Sequence, residues 1–122
     1  ADVDFWARRL VDVDAHVICV GHTHHPYILE VGDKLLLNPG SVGQPRDSDP
    51  RAAYAVIENQ RVELKRAEYA VDETVTNVLQ SSLPEPAKAL LAEVFRTGRL
   101  AKPDSSRIKS EPPTSSVPTS AA

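Results

Sequence analysis

The sequence predicts an α/β fold in which helices flank small sheets. Apolar residues recur at helical spacing over residues 3–12, and again from residue 71 to residue 98. Between these segments lie five short apolar runs bounded by turn residues, which is typical of strands. After Ala101 the composition changes to Ser, Thr, Pro and scattered charge, which provides too little apolar surface to offset the entropy cost of ordering. We therefore expect one small domain over residues 1–100 and a disordered tail over residues 101–122.

The first predicted helix covers residues 3–12, with Val3, Trp6, Ala7 and Leu10 on one face. Residues 16–20 form the first predicted strand, and four successive apolar positions indicate that both of its faces are buried. Its residue Cys19 is the single cysteine of the chain, so we expect a buried, inert thiol and a reducing, cytoplasmic environment.

Two hairpins follow. Gly32-Asp33 connects the apolar runs 27–31 and 34–37, and Asn59-Gln60 connects the runs 53–58 and 62–66. Residues 38–50 are rich in proline, glycine and short polar residues and are predicted to form a loop. Since such a loop is long for a compact domain, it is a candidate for function.

Two helices complete the predicted domain. The first begins near Val71 with Asp72 as a plausible N-cap. The second has Pro86 in its first turn and Gly98 as its C-terminal cap, with Arg96 and Arg99 at the negative end of the helix dipole.

Composition limits the classes of function. The chain has 122 residues and a formal net charge of −3, which argues against binding of a nucleic-acid backbone. No apolar run approaches the roughly 20 residues that a membrane helix needs, so no membrane association is expected.

The sequence feature most suggestive of chemistry is His22-Thr23-His24, which directly follows the first strand and Gly21. Histidines at spacing i, i+2 in an extended or turned segment can reach the same side of the chain. Neutral imidazole is a common ligand for transition metals, and open α/β sheets usually place their sites at the carboxyl ends of strands. Two histidines at this spacing alone also fit a polar, solvent-facing loop. The preceding strand and glycine, Thr23 between them and the Asn-Pro-Gly-Ser loop downstream favour His22 and His24 as metal ligands, with Thr23 orienting the loop.

Asn38-Pro39-Gly40-Ser41 is predicted to form the facing wall of this site. Ser41 and the amides from Gly40 to Gly43 would line a phosphate pocket, or the segment is only a tight turn. His25 is either a substrate-side or a solvent-facing group. Arg46 either binds a phosphate or forms a surface ion pair with the neighbouring Asp47 and Asp49. Asp12 and Asp14 precede the strand and so lie at the end away from His22.

Gly21-His22-Thr23-His24, a short hairpin and then Asn38-Pro39-Gly40-Ser41 resemble the C-terminal end of a calcineurin-like metallophosphoesterase domain. The resemblance implies a partial metallophosphoesterase-type β-sandwich, the C-terminal sheet and helices of a four-layer αββα fold. It also implies hydrolysis of phosphate mono- or diesters through a water activated by two divalent metals, which would be Mn, Fe, Ni or Zn. His22 would bind one metal and His24 the other, while the substrate-binding residues would be Asn38, Gly40, Ser41, His25 and Arg46.

The sequence departs from this family in lacking its Gly-Asp-x-x-Asp and Gly-Asn-His elements. The bridging aspartate, the metal-binding asparagine and the proton-donating histidine are therefore missing. We expect the chain to be a fragment that is inactive alone and whose partner is the upstream part of the same domain. Two non-catalytic alternatives are an interaction module that pairs with an upstream polypeptide, and a metal-binding protein that uses His22, His24 and His25.

Overall fold

A computed structural model describes residues 2–100, and the predicted tail over residues 101–122 lies outside this range. The elements in chain order are α1 (Val3–Leu10), β1 (Val17–Cys19), β2 (Tyr27–Val31), β3 (Lys34–Asn38), β4 (Ala52–Glu58), β5 (Arg61–Ala67), α2 (Val71–Leu79) and α3 (Glu85–Thr97). The mixed α/β architecture predicted from the sequence is confirmed. None of the helices in the described range has the length and apolarity needed to cross a lipid bilayer.

The larger sheet has the strand order β1-β3-β2. Central strand β3 runs parallel to β1, with Ile18 opposite Leu36, and antiparallel to β2, with Leu29 opposite Leu36. Both Leu36 and Leu37 are buried although their side chains point to opposite faces. Helix α1 covers one face of the sheet and forms a core there, made of Trp6, Leu10, Val31 and Leu36.

Strands β4 and β5 form a separate two-stranded antiparallel sheet, with Ala52 opposite Ala67 and Glu58 opposite Arg61. The connecting residues Asn59 and Gln60 have φ of 52° and 64°. Two successive positive φ values are the signature of the tight hairpin turn that matches strand twist, and the predicted Asn59-Gln60 turn is confirmed.

Helices α2 and α3 pack against each other, with Val75, Ala92 and Val94 buried. Gly98 ends α3 in the left-handed conformation with φ of 70°, and its N–H donates to the Val94 carbonyl at 2.9 Å. The predicted cap is therefore confirmed. Helix α2 begins at Val71 with Ala70 as its N-cap, so Asp72 lies in the first turn and does not cap the helix.

The predicted burial of the first strand is wrong. Cys19 is exposed, and Val17 and Ile18 are only half-buried. Strand β1 lies at the edge of its sheet and pairs only with β3, so its other edge is unpaired within the described chain. An apolar run indicates what a strand can bury, whereas actual burial depends on the layers around it.

Candidate metal-binding site

The two predicted walls of the site lie side by side at one edge of the larger sheet. Because β1 and β3 are parallel, the loops that follow them leave from the same edge. The backbone N–H of Val20 donates to the Leu37 carbonyl at 2.9 Å, which extends this pairing to the start of the histidine loop, residues 21–25. The fold therefore brings the histidine loop next to the segment that begins at Asn38.

Asn38 connects these two segments through its side chain. Its Nδ2 donates to Thr23 Oγ1 at 3.1 Å and to the Gly21 carbonyl at 3.4 Å, while its Oδ1 accepts from the Gly40 N–H at 2.9 Å. The side chain is fully buried, so its amide faces the loop and not the solvent. Thr23 Oγ1 also accepts from the His25 N–H at 3.3 Å, in agreement with the predicted orienting role of Thr23.

His24 is held at two points by the segment that follows Ser41. Its Nδ1 lies 2.7 Å from the Gln44 carbonyl oxygen, and its own carbonyl accepts from the Arg46 N–H at 3.2 Å. Because a carbonyl oxygen only accepts, Nδ1 is the nitrogen that carries the proton in a neutral ring. The lone pair is then on Nε2, which is the arrangement that metal-binding histidines adopt.

The backbone of the histidine loop is strained. His22 has φ of 82° and His24 has φ of 64°, in the left-handed region that costs an L-residue about 1–2 kcal/mol. His22 and His25 are exposed, whereas His24 is half-buried. The hydrogen bonds of Asn38 and Gln44 hold this conformation, and strained backbone of this kind is concentrated at functional sites.

The Gly40–Ser41 segment is a tight turn against the second hairpin. Gly40 has φ of 89°, and a Cβ at this position would lie 2.9 Å from Ala53 Cβ. Ser41 Oγ accepts from the Gln44 N–H at 2.9 Å, and the Ser41 carbonyl accepts from the Ala53 N–H at 3.1 Å. Ser41 therefore shapes the turn that presents the Gln44 carbonyl to His24.

The predicted ion pair between Arg46 and its acidic neighbours is not formed. Asp47 instead pairs with Arg66 of β5, and Asp49 pairs with Arg51 at 2.7 Å. Hydrogen bonding to Arg51 lowers the pKa of Asp49 to about 2. Arg66 also donates to the carbonyls of residues 49 and 51, both at 3.2 Å. Arg46 itself is exposed and lies at the rim of an open cleft.

This cleft contains residues that the sequence reasoning missed. It has a volume of about 430 Å³ and is lined by His25, Arg46, Ser48, Arg99 and Leu100. The sequence pattern indicates Arg99 only as a favourable charge at the end of α3. Its position in the cleft depends on the docking of the α3 C-terminus on residues 48–49, which no local sequence pattern indicates.

The described residues do not form a complete metal site by themselves. Between residues 2 and 100, no group of three or more His, Cys, Asp or Glu side chains is arranged to hold a metal ion. Asp12, Asp14 and His16 are exposed and precede β1, so they lie at the end of the strand away from His22. A site of His22, His24 and His25 together is likewise not formed in this range. The orientation of the His24 ring fits metal ligation through Nε2.

Residues 2–61 match the calcineurin-like phosphoesterase superfamily domain. A probable metallophosphoesterase of Methanothermobacter thermautotrophicus is 40% identical, over 43% of this chain and 31% of its own length. An uncharacterized protein of Methanocaldococcus jannaschii is 33% identical, over 57% of this chain and 35% of its own. The chain thus spans about a third of the length of these curated relatives.

Solved structures agree with this match. The crystal structure of a metallophosphoesterase from Sphaerobacter thermophilus superimposes with a TM-score of 0.63 and 32% identity, over 80% of this chain and 48% of that one. A hypothetical protein from Pyrococcus horikoshii gives a TM-score of 0.66 over 83% of this chain and 40% of its own. Since its identity is 17%, this second structure bears on the fold alone.

Proposed function

Because the chain belongs to the calcineurin-like phosphoesterase superfamily, we propose that it is the C-terminal part of a metal-dependent hydrolase of phosphate mono- or diesters. The observation that carries the proposal is the hydrogen bond from His24 Nδ1 to the Gln44 carbonyl at 2.7 Å. It leaves Nε2 available as a ligand at the edge of the sheet where the carboxyl ends of β1 and β3 meet.

In this proposal, His24 binds one divalent metal and His22 binds the other, the metals being Mn, Fe, Ni or Zn. When bound, a pair of such ions stabilises charge on the phosphate oxygens and lowers the pKa of the attacking water. Asn38 and Thr23 act as positioning residues, because their hydrogen bonds hold the loop that carries both histidines. The other groups of this chain proposed to contact the substrate are the amides of Ser41 to Gly43 and Arg46, which lines the adjoining cleft. The Gly40 N–H is already bonded to Asn38 Oδ1 and shapes the turn.

The remaining metal ligands are proposed to come from the upstream part of the same domain. Two imidazoles without a carboxylate hold metal weakly and do not assemble a dinuclear centre. The lengths of the relatives support a contribution from further sequence, because this chain spans only about a third of the length of the curated relatives. The 122-residue chain alone is therefore expected to be inactive.

The test compares the 122-residue chain with the product of the complete reading frame, using bis-p-nitrophenyl phosphate and Mn²⁺. We expect turnover only in the complete protein, and a loss of at least about 100-fold in kcat/KM for His24→Ala. His16→Ala is the matched control, because His16 is exposed and precedes β1. Full activity of His24→Ala, or His24-dependent turnover by the short chain, would contradict the proposal.

A further inference from the structure

The cleft beside the histidine loop carries positive charge from two arginines, Arg46 and Arg99. Its polar side chains are those of His25, Arg46, Ser48 and Arg99, and no carboxylate lines it. Arg46 is connected to the histidine loop directly, because its N–H donates to the His24 carbonyl at 3.2 Å. The cleft and the candidate metal site therefore share the same short stretch of backbone.

The nearest acidic residues are already neutralised by other arginines. Asp47 is paired with Arg66, and Asp49 with Arg51 and Arg66. Within residues 2–100, neither Arg46 nor Arg99 has a carboxylate within ion-pair distance. Asp47 and Asp49 therefore do not cancel the positive charge of the cleft. An uncancelled positive charge attracts anions.

Arg99 is held in place before any ligand arrives. Its Nε donates to Ser48 Oγ at 3.0 Å, and the Ser48 N–H donates to the Gly98 carbonyl at 3.0 Å. Gly98 packs so closely on this loop that an added Cβ would lie 2.8 Å from the Asp49 backbone nitrogen. Within residues 2–100 the two terminal nitrogens of the guanidinium have no hydrogen-bond partner, and together they present a fork that suits bidentate contact with a phosphate.

We propose that this cleft binds a second phosphoryl group of the substrate, distinct from the phosphate at His22 and His24. The inference rests on the proposed function and narrows its substrate class to compounds with at least two phosphoryl groups. Arg46 and Arg99 contact this second, distal phosphoryl group, while His22 and His24 lie at the phosphoryl group whose ester bond is hydrolysed. The distal group adds charge-assisted hydrogen bonds that a monophosphate lacks.

Binding is tested first, without catalysis. Pyrophosphate is titrated calorimetrically into the 122-residue chain with EDTA present and ionic strength fixed, so that metal sites do not contribute. Arg46→Gln and Arg99→Gln are each expected to raise Kd about tenfold. Arg96→Gln removes the same charge from the last turn of α3, outside the cleft, and should leave Kd unchanged. No binding, or equal weakening by Arg96→Gln, would overturn the cleft as an anion site.

Turnover then identifies the source of the anion. In the complete protein, the ratio of kcat/KM for a nucleoside diphosphate to that for p-nitrophenyl phosphate should fall about tenfold in Arg99→Gln and stay constant in Arg96→Gln. A ratio unaffected by Arg99→Gln, together with weakened pyrophosphate binding in the same variant, would show that the cleft binds free phosphate compounds and not the distal group of the substrate. The substrate assignment would then be overturned. Absence of all hydrolysis, with pyrophosphate binding intact, would instead refute the proposed function and leave the anion site standing.

Discussion

At the scale of single residues, Asn38 determines the geometry of the site. Its amide makes three hydrogen bonds that join the end of β3 to the histidine loop and to the following turn. The side chain is fully buried, so water cannot replace these bonds when they are removed. Asn38 is the residue of β3 whose side chain hydrogen-bonds to the histidine loop, and it therefore helps to hold the strained backbone of His22 and His24.

We expect Asn38→Ala to lower the free energy of unfolding by about 1–3 kcal/mol, because it removes three part-buried hydrogen bonds to the histidine loop and the following turn. Urea unfolding of the 122-residue chain measures this value. Asn77→Ala is the matched control, since Asn77 is exposed on α2 and its removal leaves no buried group unpaired. Equal stability of the two variants would refute the structural role assigned to Asn38.

The roles of residues whose partners are near in sequence are predictable from local patterns. Thr23 bonds to the His25 N–H two residues away, and Gly98 caps its own helix. The ion-pair alternative for Arg46 failed because Asp47 pairs with Arg66, which is 19 residues away on another strand. Whether Asp47 pairs with Arg46 or with Arg66 depends on where β5 lies in the fold, and the local sequence pattern does not contain that information.

At the scale of elements, the loop between β3 and β4 is fixed to its surroundings by ion pairs and by the end of α3. Asp47 and Asp49 bind the arginines of β5 and of the loop itself, and Gly98 docks on residues 48–49. The same loop carries Gln44, which orients His24. Weakening these contacts should therefore loosen both the candidate metal ligand and the cationic cleft.

Asp49 makes this loop sensitive to acid. Its pKa is lowered from 3.8 to about 2, first by the side-chain hydrogen bond from Arg51. A group whose pKa is lower in the folded state stabilises the fold above its unfolded pKa, and this contribution disappears as pH falls through the folded value. Stability should therefore decline between about pH 4 and pH 2, and the decline should be smaller in Asp49→Asn.

Urea unfolding at stepped pH between 4 and 2 measures this difference. The contribution is small because the pair is largely open to solvent, so the comparison is of slopes and not of absolute stabilities. Identical slopes for the wild type and Asp49→Asn would show that the Arg51 contact does not persist in solution.

Among the elements, the hairpins were predictable because their turn residues are local signals. Asn59 and Gln60 adopt the two positive φ values that a two-residue link requires. The burial of β1 was not predictable, because it depends on layers that the apolar run itself does not specify. The N-terminus of α2 differs from the prediction by two residues: Ala70 is the N-cap, and Asp72 lies in the first turn with Glu73. Helix ends are commonly displaced by one or two residues in this way.

At the scale of the whole molecule, apolar side chains remain open on several elements. Ile28 of β2, Ile57 of β4, Leu79 of α2 and Leu90 of α3 are each between 40% and 49% exposed. Strand β1 has a free edge within the described chain. Exposed apolar surface and free edges of this kind are typical of an interface, and they fit the proposal that an upstream part of the domain packs here.

Cys19 tests this packing because it is the single cysteine of the 122 residues and lies exposed on the edge strand β1. In the short chain we expect rapid labelling by a maleimide. In the product of the complete reading frame, protein that covers β1 should slow labelling of the peptide containing Cys19 by about tenfold or more, because a thiol reacts only where reagent reaches it. Mass spectrometry of that peptide measures the rate in both proteins. Equal rates would mean that β1 stays open in the longer protein, and the upstream part of the domain would then have to meet this chain on another face.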